Sequence, residues 1–454
     1  MRRFSLVGRL GPDDKVRVPI LQKDSAIFEI DFLNANRRLG FGLGHALDQL
    51  SSLGLNPTEL ALDLAIVAAH VNAGDTRVSR SVNAQDGWTR EIDLYIPVAD
   101  PPRWEGVSWQ TEILLKFLTG DRWRLFFRAR PKRLASMIVP SVKLPLSELK
   151  EVSLFSGGLD SLIGAIDLLK KGQRPLLVSH YWDAETSNAQ TTLLDRLRGH
   201  FADSEFRSVR VRVGFDRHHL NTGETEDTQR GRSFLFFALA SLAASSFAEP
   251  VTINVPENGL IALNVPLDPL RLGALSTRTA HPHFIAGMNR VLQDLGVSAT
   301  LVNQYRHKTK GEMVASCGDL DSLRSEVGRS MSCSSPAKAR YKKLSPRHCG
   351  YCVPCLIRRA SIKKGLGMAD PTLYTVADLG AQTLFTDKSE GEHIRSFQLM
   401  AMRLKRNPKL AEILVHKPGP LIDEISEIPA YADVFRRGVL EVADLLSGVT
   451  AEPS

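Results

Sequence analysis

The stretch LFSGGLDSLIG, from Leu154 to Gly164, decides how this chain is read. A strand-like run, Val152–Phe155, leads into it, and apolar residues at helical spacing follow it. Between them stand Ser156, Gly157, Gly158 and Leu159, then Asp160 and Ser161 at the start of the helix. Two readings are open. A tight strand-to-helix turn with a capping residue explains the spacing alone. A cradle for nucleotide phosphates also explains the residue types, because glycine lets backbone amides approach an anion and the opening of a helix offers unpaired N–H groups. Ser156 and Ser161 add hydroxyl donors. A carboxylate facing phosphates is repulsive unless it holds a cation, so Asp160 is expected to serve Mg²⁺.

Strand and helix signals alternate around this turn. Strands are expected at 151–156, 175–182, 208–213, 251–255 and 299–304, and helices at 160–171, 187–200, 232–247 and 282–295. That rhythm predicts an α/β fold, a parallel doubly wound sheet with helices on both faces. Its ligands gather beyond the carboxyl ends of the strands, where Ser156 emerges. Residues 1–148 read as an N-terminal α+β accessory domain, with a helix over 57–72, alternation over Glu91–Ile96 that ends at Pro97, and a strand over 123–127. Pro101-Pro102 then breaks the pattern, and nothing in this region has catalytic spacing. Residues 366–454 read as a helical region, clearest over Ala430–Leu446.

At 454 residues, 43% hydrophobic and 24% charged, the composition is that of a globular protein with two or three domains. The net charge of +8 leans towards anionic partners, although the cations are spread widely. The longest apolar stretch, Phe234–Ala248, is broken by serines and is shorter than the ~20 residues of a membrane span, so a buried helix is expected. Met1–Ser5 is basic with no apolar run behind it, from which no secretory leader is expected. Four of five cysteines fall between Cys333 and Cys355, a clustering that points to a reduced, cytoplasmic compartment and a metal site. Cys349-x2-Cys352-x2-Cys355 is a knuckle spacing, and Cys333 is the natural fourth ligand of a closed tetrahedral Zn²⁺ site. An iron–sulfur centre is the rival, but Arg359 stands where a ferredoxin run has its next cysteine. His348 is a spare ligand, and Cys317 reads as a buried small hydrophobe.

The order Ser156-Gly157-Gly158-Leu159-Asp160-Ser161 resembles the Ser-Gly-Gly-x-Asp-Ser signature of the PP-loop ATP pyrophosphatases, which have the adenine nucleotide alpha hydrolase-like (HUP) fold. Members split ATP between the α and β phosphates. Ser332-Cys333, Cys349-Gly350-Tyr351-Cys352, Cys355 and Arg358 extend the likeness over about residues 150–365, to the 7-cyano-7-deazaguanine synthase (QueC) family. The resemblance implies a PP-loop domain over 149–365 with a four-cysteine zinc knuckle. It further implies adenylation of a 7-deazaguanine carboxylate and capture of the adenylate by an amine. In Arg230-Gly231-Arg232-Ser233 either arginine can meet phosphate, with Arg232 joining the loop at ATP and a solvated helix start as the competing reading. Lys310, in Thr309-Lys310-Gly311-Glu312, would act in catalysis beside Asp160 and Ser161. Ser233 departs from the family's asparagine.

A Tyr-Pro-Asp-Cys-Arg-like stretch of the family is missing. Glu257-Asn258-Gly259 and STRTAHPHF, with Thr277, Arg278, Thr279, His281 and His283, stand in roughly its place. Arg278 can pair with a carboxylate in a fork, and His281 can accept a proton from an attacking amine. A polar surface loop is the competing reading. The extra front domain gives a layout that resembles the QueC-like proteins of bacterial antiphage (Qat) defence operons, which implies a protein partner from the same operon. The expected function is therefore an ATP-, Mg²⁺- and Zn²⁺-dependent ligase acting on a deazaguanine-type acid, forming a nitrile with ammonia or an amide on a partner's N-terminus. The alternative is a nucleotide- or nucleic-acid-binding scaffold subunit of a defence complex whose loop is not catalytic; the intact loop favours the enzyme.

Overall fold

The computed structural model describes residues 3–84, 86–143, 148–203, 205–216, 219–220, 222–224, 226, 228–268 and 278–454. Two parallel sheets organise the first two thirds. The front sheet has the order β2-β1-β3-β4, from β1 (Arg3–Arg9), β2 (Ala26–Asp31), β3 (Glu91–Val98) and β4 (Arg122–Ala129). The second has the order β7-β6-β5-β8-β9, from β5 (Glu151–Leu154), β6 (Pro175–His180), β7 (Arg207–Val211), β8 (Val251–Asn254) and β9 (Ala299–Val302). Every neighbour in both is parallel.

The strand order of the second sheet reverses at β5, which lies between β6 and β8. Such a reversal opens a crevice beyond the carboxyl ends of the two central strands, because consecutive crossovers leave in opposite directions. Strand residues alternate between two cores. Val152 and Leu154 pack with helices Arg232–Ala244 and Pro282–Asp294 on one face. Phe155 and Leu177 pack with helices Leu159–Lys170 and Ala184–His200 on the other. The outer strands are closed by side chains rather than left as open ladders. Gln49 accepts from Arg210 N (2.9 Å) and donates to Arg210 O (2.8 Å) on β7, and Asn289 does the same for Leu301 on β9 (2.8 and 3.0 Å).

The front region corrects the expected α+β organisation: it is parallel α/β. Pro97 does not end β3, because pairing with β1 stops at Tyr95 and a missing amide breaks no bond on that side. Pro101-Pro102 does not merely interrupt; it opens the helix Pro101–Thr119, with the Asp100 side chain accepting from Arg103 N (3.2 Å). Helix Glu59–Arg77 extends beyond the expected 57–72. Helices Glu59–Arg77 and Pro101–Thr119 pack against those at Arg232–Ala244 and Pro282–Asp294, so one continuous apolar core joins the two sheets. Helix Arg232–Ala244 is buried from Ser233 onward, as its composition suggests, and no described helix is long and apolar enough to cross a membrane.

A buried ion network crosses this seam. Arg90, Asp75 and Asp121 are fully buried and Arg80 nearly so. Arg90 Nη2 reaches Asp75 (2.9 Å) and Asp121 (2.6 Å), and Arg80 Nη2 reaches the same two carboxylates (3.2 and 2.6 Å). Burial works against the Asp121 anion, but the charge and hydrogen bonds of Arg90 outweigh it and hold its carboxyl below the usual range. Asp75 Oδ2 also accepts from Gly231 N (2.7 Å), the residue before Arg232. The last third is helical, with Ser389–Arg406 and Ile428–Leu445 packed on the cysteine segment. Asp121→Ala, which leaves two buried guanidinium groups facing one fewer carboxylate, is expected to reduce the unfolding free energy by about 3–5 kcal/mol. Urea denaturation checks this, and a loss below ~1 kcal/mol would contradict a closed network.

Candidate functional site

The loop after β5 stands at the strand-order reversal. Gly157 has φ +83°, and a Cβ there would lie 3.0 Å from Gln190 Cγ and 3.3 Å from Gln190 N, so a side chain would meet both strain and a wall. Ser156 Oγ accepts from Gly158 N (3.3 Å) and donates to Ser161 Oγ (3.2 Å), which in turn donates to Gly158 O (3.0 Å). The hydroxyls thereby fix the turn, and helix Leu159–Lys170 begins directly behind it. Gly164, one turn further, lets that helix touch the loop after β8: a Cβ would stand 2.6 Å from Pro256 Cβ.

The contact with β8 assembles the charged part of the site. Asn258 donates to Asp160 Oδ2 from its backbone N (3.0 Å) and its side-chain amide (2.7 Å). Lys310 Nζ stands 3.0 Å from Asp160 Oδ1, with both side chains largely buried. Glu257 hydrogen-bonds Asp160, and its carboxyl is pushed up to about 8, first by burial and then by the Asp160 charge, with Lys310 opposing. Two carboxyl groups therefore stand together beside one ammonium, a donor set whose chemistry fits a divalent cation. Sequence reasoning placed Glu257 in an altered segment and gave it no role. Nothing local marks it, because its partner lies on another strand's loop.

Lys310 is held from the distant C-terminal helix. Glu441 accepts from Thr309 Oγ1 (2.7 Å) and Gly311 N (2.9 Å), and Lys364 Nζ stands 3.1 Å from it. Thr309 and Glu312 close a capping box around Lys310, which starts its helix. Arg232 opens helix Arg232–Ala244 within electrostatic reach of His180, at the end of β6, and of Asp183. Among the described residues its side chain makes no hydrogen bond or ion pair, while its backbone N donates to Gln229 O (3.3 Å). Burial pushes His180 down to about 3, so it is neutral.

The four expected thiols come together. Sγ atoms of Cys333, Cys349, Cys352 and Cys355 all lie within 4.8 Å of one another, with Cys333–Cys352 at 4.0 Å and Cys349–Cys355 at 3.9 Å. A tetrahedron of ~2.3 Å Zn–S bonds has edges of about 3.8 Å, so the set fits zinc and can hold a metal ion. Backbone amides of Cys349 and Ser335 point at Cys333 Sγ (3.3 and 3.4 Å), and Cys352 N points at Cys349 Sγ (3.3 Å), as anionic sulfur requires. His348 is engaged elsewhere: its Nε2 accepts from Ser332 N (3.1 Å).

The knuckle is built onto the loop. Met331 N donates to Gly157 O (2.9 Å), and Leu159 N donates to Ser332 Oγ (3.3 Å). Buried Arg358 braces the same segment through Ser330 Oγ (2.8 Å), Ser332 Oγ (3.5 Å) and the carbonyl of Val327. Arg278 and His281 have other partners. Arg278 donates to Phe117 O (2.6 Å) and lies 4.6 Å over its ring, while buried His281 caps its helix through Nδ1, accepting from His283 N (3.2 Å). Burial, with Arg278 adding, pushes His281 down to about 3. Thr279 bonds Ser233 (2.6 Å), and Thr277 lies outside the described residues. A cavity of about 760 Å³ lies elsewhere, between the loop at 33–39, helix Leu43–Ser52 and the segment at 134–143, and its charged lining residues Arg37, Arg38, Asp48 and Lys143 are all exposed. No family model matches the chain and no curated protein does, so its chemistry rests on this geometry.

Cys352→Ser should lose the bound metal and lower the melting temperature, since metal-binding energy is folding energy. Elemental analysis should find one zinc per wild-type chain, and iron or no metal in folded protein would contradict this. Glu257 has a raised folded-state pKa, so its contribution to stability is complete below about 4.5 and is lost as pH rises to about 8. Glu257→Gln, which cannot ionise, should remove that fall in melting temperature. Parallel wild-type and variant profiles would rule out the raised Glu257 pKa.

Proposed function

We propose that the crevice between β5 and β8 is the active site of a cytoplasmic QueC-like PP-loop ATP pyrophosphatase that adenylates the carboxylate of a 7-deazaguanine acid. A carboxylate has no viable leaving group of its own, and AMP supplies one. The carboxylate oxygen attacks the α-phosphorus of ATP and pyrophosphate departs. An amine then attacks the acyl carbon, AMP leaves, the amine loses a proton, and an amide remains. The observation that carries this reading is a Ser-Gly-Gly-x-Asp-Ser loop at the strand-order reversal, with Lys310 and a carboxyl pair beside it.

Each residue has a physical task. The amides and hydroxyls of Ser156–Ser161 hold phosphate oxygens, and Lys310 and Arg232 supply positive charge where negative charge develops in the transition state. Asp160 and Glu257 would hold Mg²⁺, which supplies charge neutralisation on the phosphates. Zinc on the four thiols has no open position and serves to fix Ser332 and Met331 against the loop. The amine is a partner protein's N-terminus rather than ammonia. At a reference pKa of about 7.7–8.0 such an amine keeps an appreciable neutral fraction at cellular pH, whereas a lysine at about 10.4 does not. The front unit, which lacks catalytic spacing, is available to receive that partner.

With ATP, Mg²⁺ and the deazaguanine acid, phosphorus NMR should show AMP and pyrophosphate. ADP and orthophosphate would sink the assignment, and no turnover would favour a nucleotide- or nucleic-acid-binding scaffold. Asp160→Asn should reduce turnover by ~100-fold or more while costing at most ~1 kcal/mol of stability, because Glu257, freed of its like-charged neighbour, ionises and pairs with Lys310. A co-expressed operon partner should gain the deazaguanine acyl mass at its first residue with wild-type protein and not with Asp160→Asn. An unmodified partner in both samples, with nitrile formed from ammonia, would overturn the acceptor assignment.

A further inference from the structure

No Asp or Glu occurs between Glu326 and Asp370, although the chain's overall usage would place about five in that interval, and ten Lys and Arg stand there instead. Several of these cations are occupied. Arg358 is buried in its serine and threonine partners, Arg359 lies over Tyr374 (3.7 Å), Arg329 meets Glu326 (3.4 Å), and Lys364 meets Glu441. Five others fall together in the arm between Cys333 and Cys349: Lys338, Arg340, Lys342, Lys343 and Arg347. Among the described residues none of the five pairs with a carboxylate.

The arm is an ordered display. Both ends are fixed at the thiol cluster. Pro336–Lys342 forms a short 3-10 turn, closed by Lys343 N donating to Arg340 O (2.9 Å) and Leu344 N donating to Ala339 O (3.2 Å). Lys343 takes φ +56° to make that closure, and Ala339, 2% exposed, pins the turn to the body. The four lysine and arginine side chains at 338, 340, 342 and 343 face solvent. Tyr341 stands among them at 75% exposure, with the Arg340 guanidinium 5.3 Å from its ring centre.

Like charges crowded at this spacing repel one another, and a polyanion relieves that repulsion. The single exposed aromatic offers a flat face that a merely solvated basic loop does not need. A membrane surface is a poor match, since the arm's one large aliphatic side chain, Leu344, is half-buried and its exposed Ala337 and Pro346 are small. We propose that the arm at residues 336–347 is a docking surface for single-stranded nucleic acid, its cations following the phosphate backbone and Tyr341 stacking on a base. It is independent of the chemistry assigned to the crevice.

Fluorescence anisotropy of the full-length, zinc-loaded protein with labelled 20-nucleotide RNA and DNA, titrated at 50 to 300 mM salt, tests this. Wild-type affinity should fall linearly in log–log salt plots. Replacing Arg340, Lys342 and Lys343 by Gln together should weaken binding by about tenfold or more and reduce the salt slope by about 2. Tyr341→Ala should weaken it by about tenfold with the slope unchanged. These residues are exposed, so zinc content and melting temperature should stay at wild-type values. Absence of wild-type binding, unchanged affinity in the triple variant, an unaffected Tyr341→Ala, or equal displacement by polyglutamate would each overturn the proposal, the last by making this a surface for acidic protein.

Discussion

The hydrogen bond from Leu159 N to Ser332 Oγ joins parts of the chain 173 residues apart, and the candidate site depends on it. A glycine-rich turn is by itself soft, since its backbone has many conformations to lose. Here the turn is pressed from one side by Gln190 and gripped from the other by Met331 and Ser332. Those two residues are in turn fixed by His348, by the buried Arg358 and by the first of four clustered thiols. A metal held by these four thiols would therefore act on the crevice by fixing backbone, and a change in the knuckle should be felt at the loop.

The same logic explains the outlying elements. The front unit adds no group with catalytic spacing to the crevice, yet Asp75 holds Gly231 and so sets where Arg232 begins its helix. The C-terminal helix likewise reaches the site through Glu441, which sets the turn that presents Lys310. Both cations are placed by carboxylates far away in sequence, and neither of those carboxylates belongs to the loop itself. Buried charges of this type are costly to leave unpaired, so they tie three regions of the chain into one cooperative arrangement.

What the sequence made legible was local. The strand-to-helix turn, the rhythm of the second sheet and the cysteine spacing each declare themselves within a few residues, because periodicity and glycine placement are short-range signals. The strands themselves stop earlier than expected, at Leu154 rather than Ser156 and at Val302 rather than Gln304; apolar Phe155 follows the first, polar Asn303 and Gln304 the second. In the front sheet Pro97 and Pro101 have the residue type of breaks, whereas one sits beyond the pairing with β1 while still registered against β4, and the other opens a helix. Glu257 was invisible for a different reason. Its raised pKa exists only once β8 lies beside β5, and no spacing within the segment encodes that contact. Arg278 and His281 show the converse, residues whose types suggest chemistry but which here hold Phe117 and cap a helix.

The central claim is that one crevice, walled by the loop after β5, the loop after β8 and the knuckle segment, holds the nucleotide. Hydrogen–deuterium exchange with and without a non-hydrolysable ATP analogue and Mg²⁺ tests it most directly. Amides at 156–161, 257–259 and 331–333 should gain protection together, and Cys352→Ser should lose the effect at all three. Protection confined to the cavity around Leu33 and Met137, or protection of the loop that survives loss of the metal, would contradict the account.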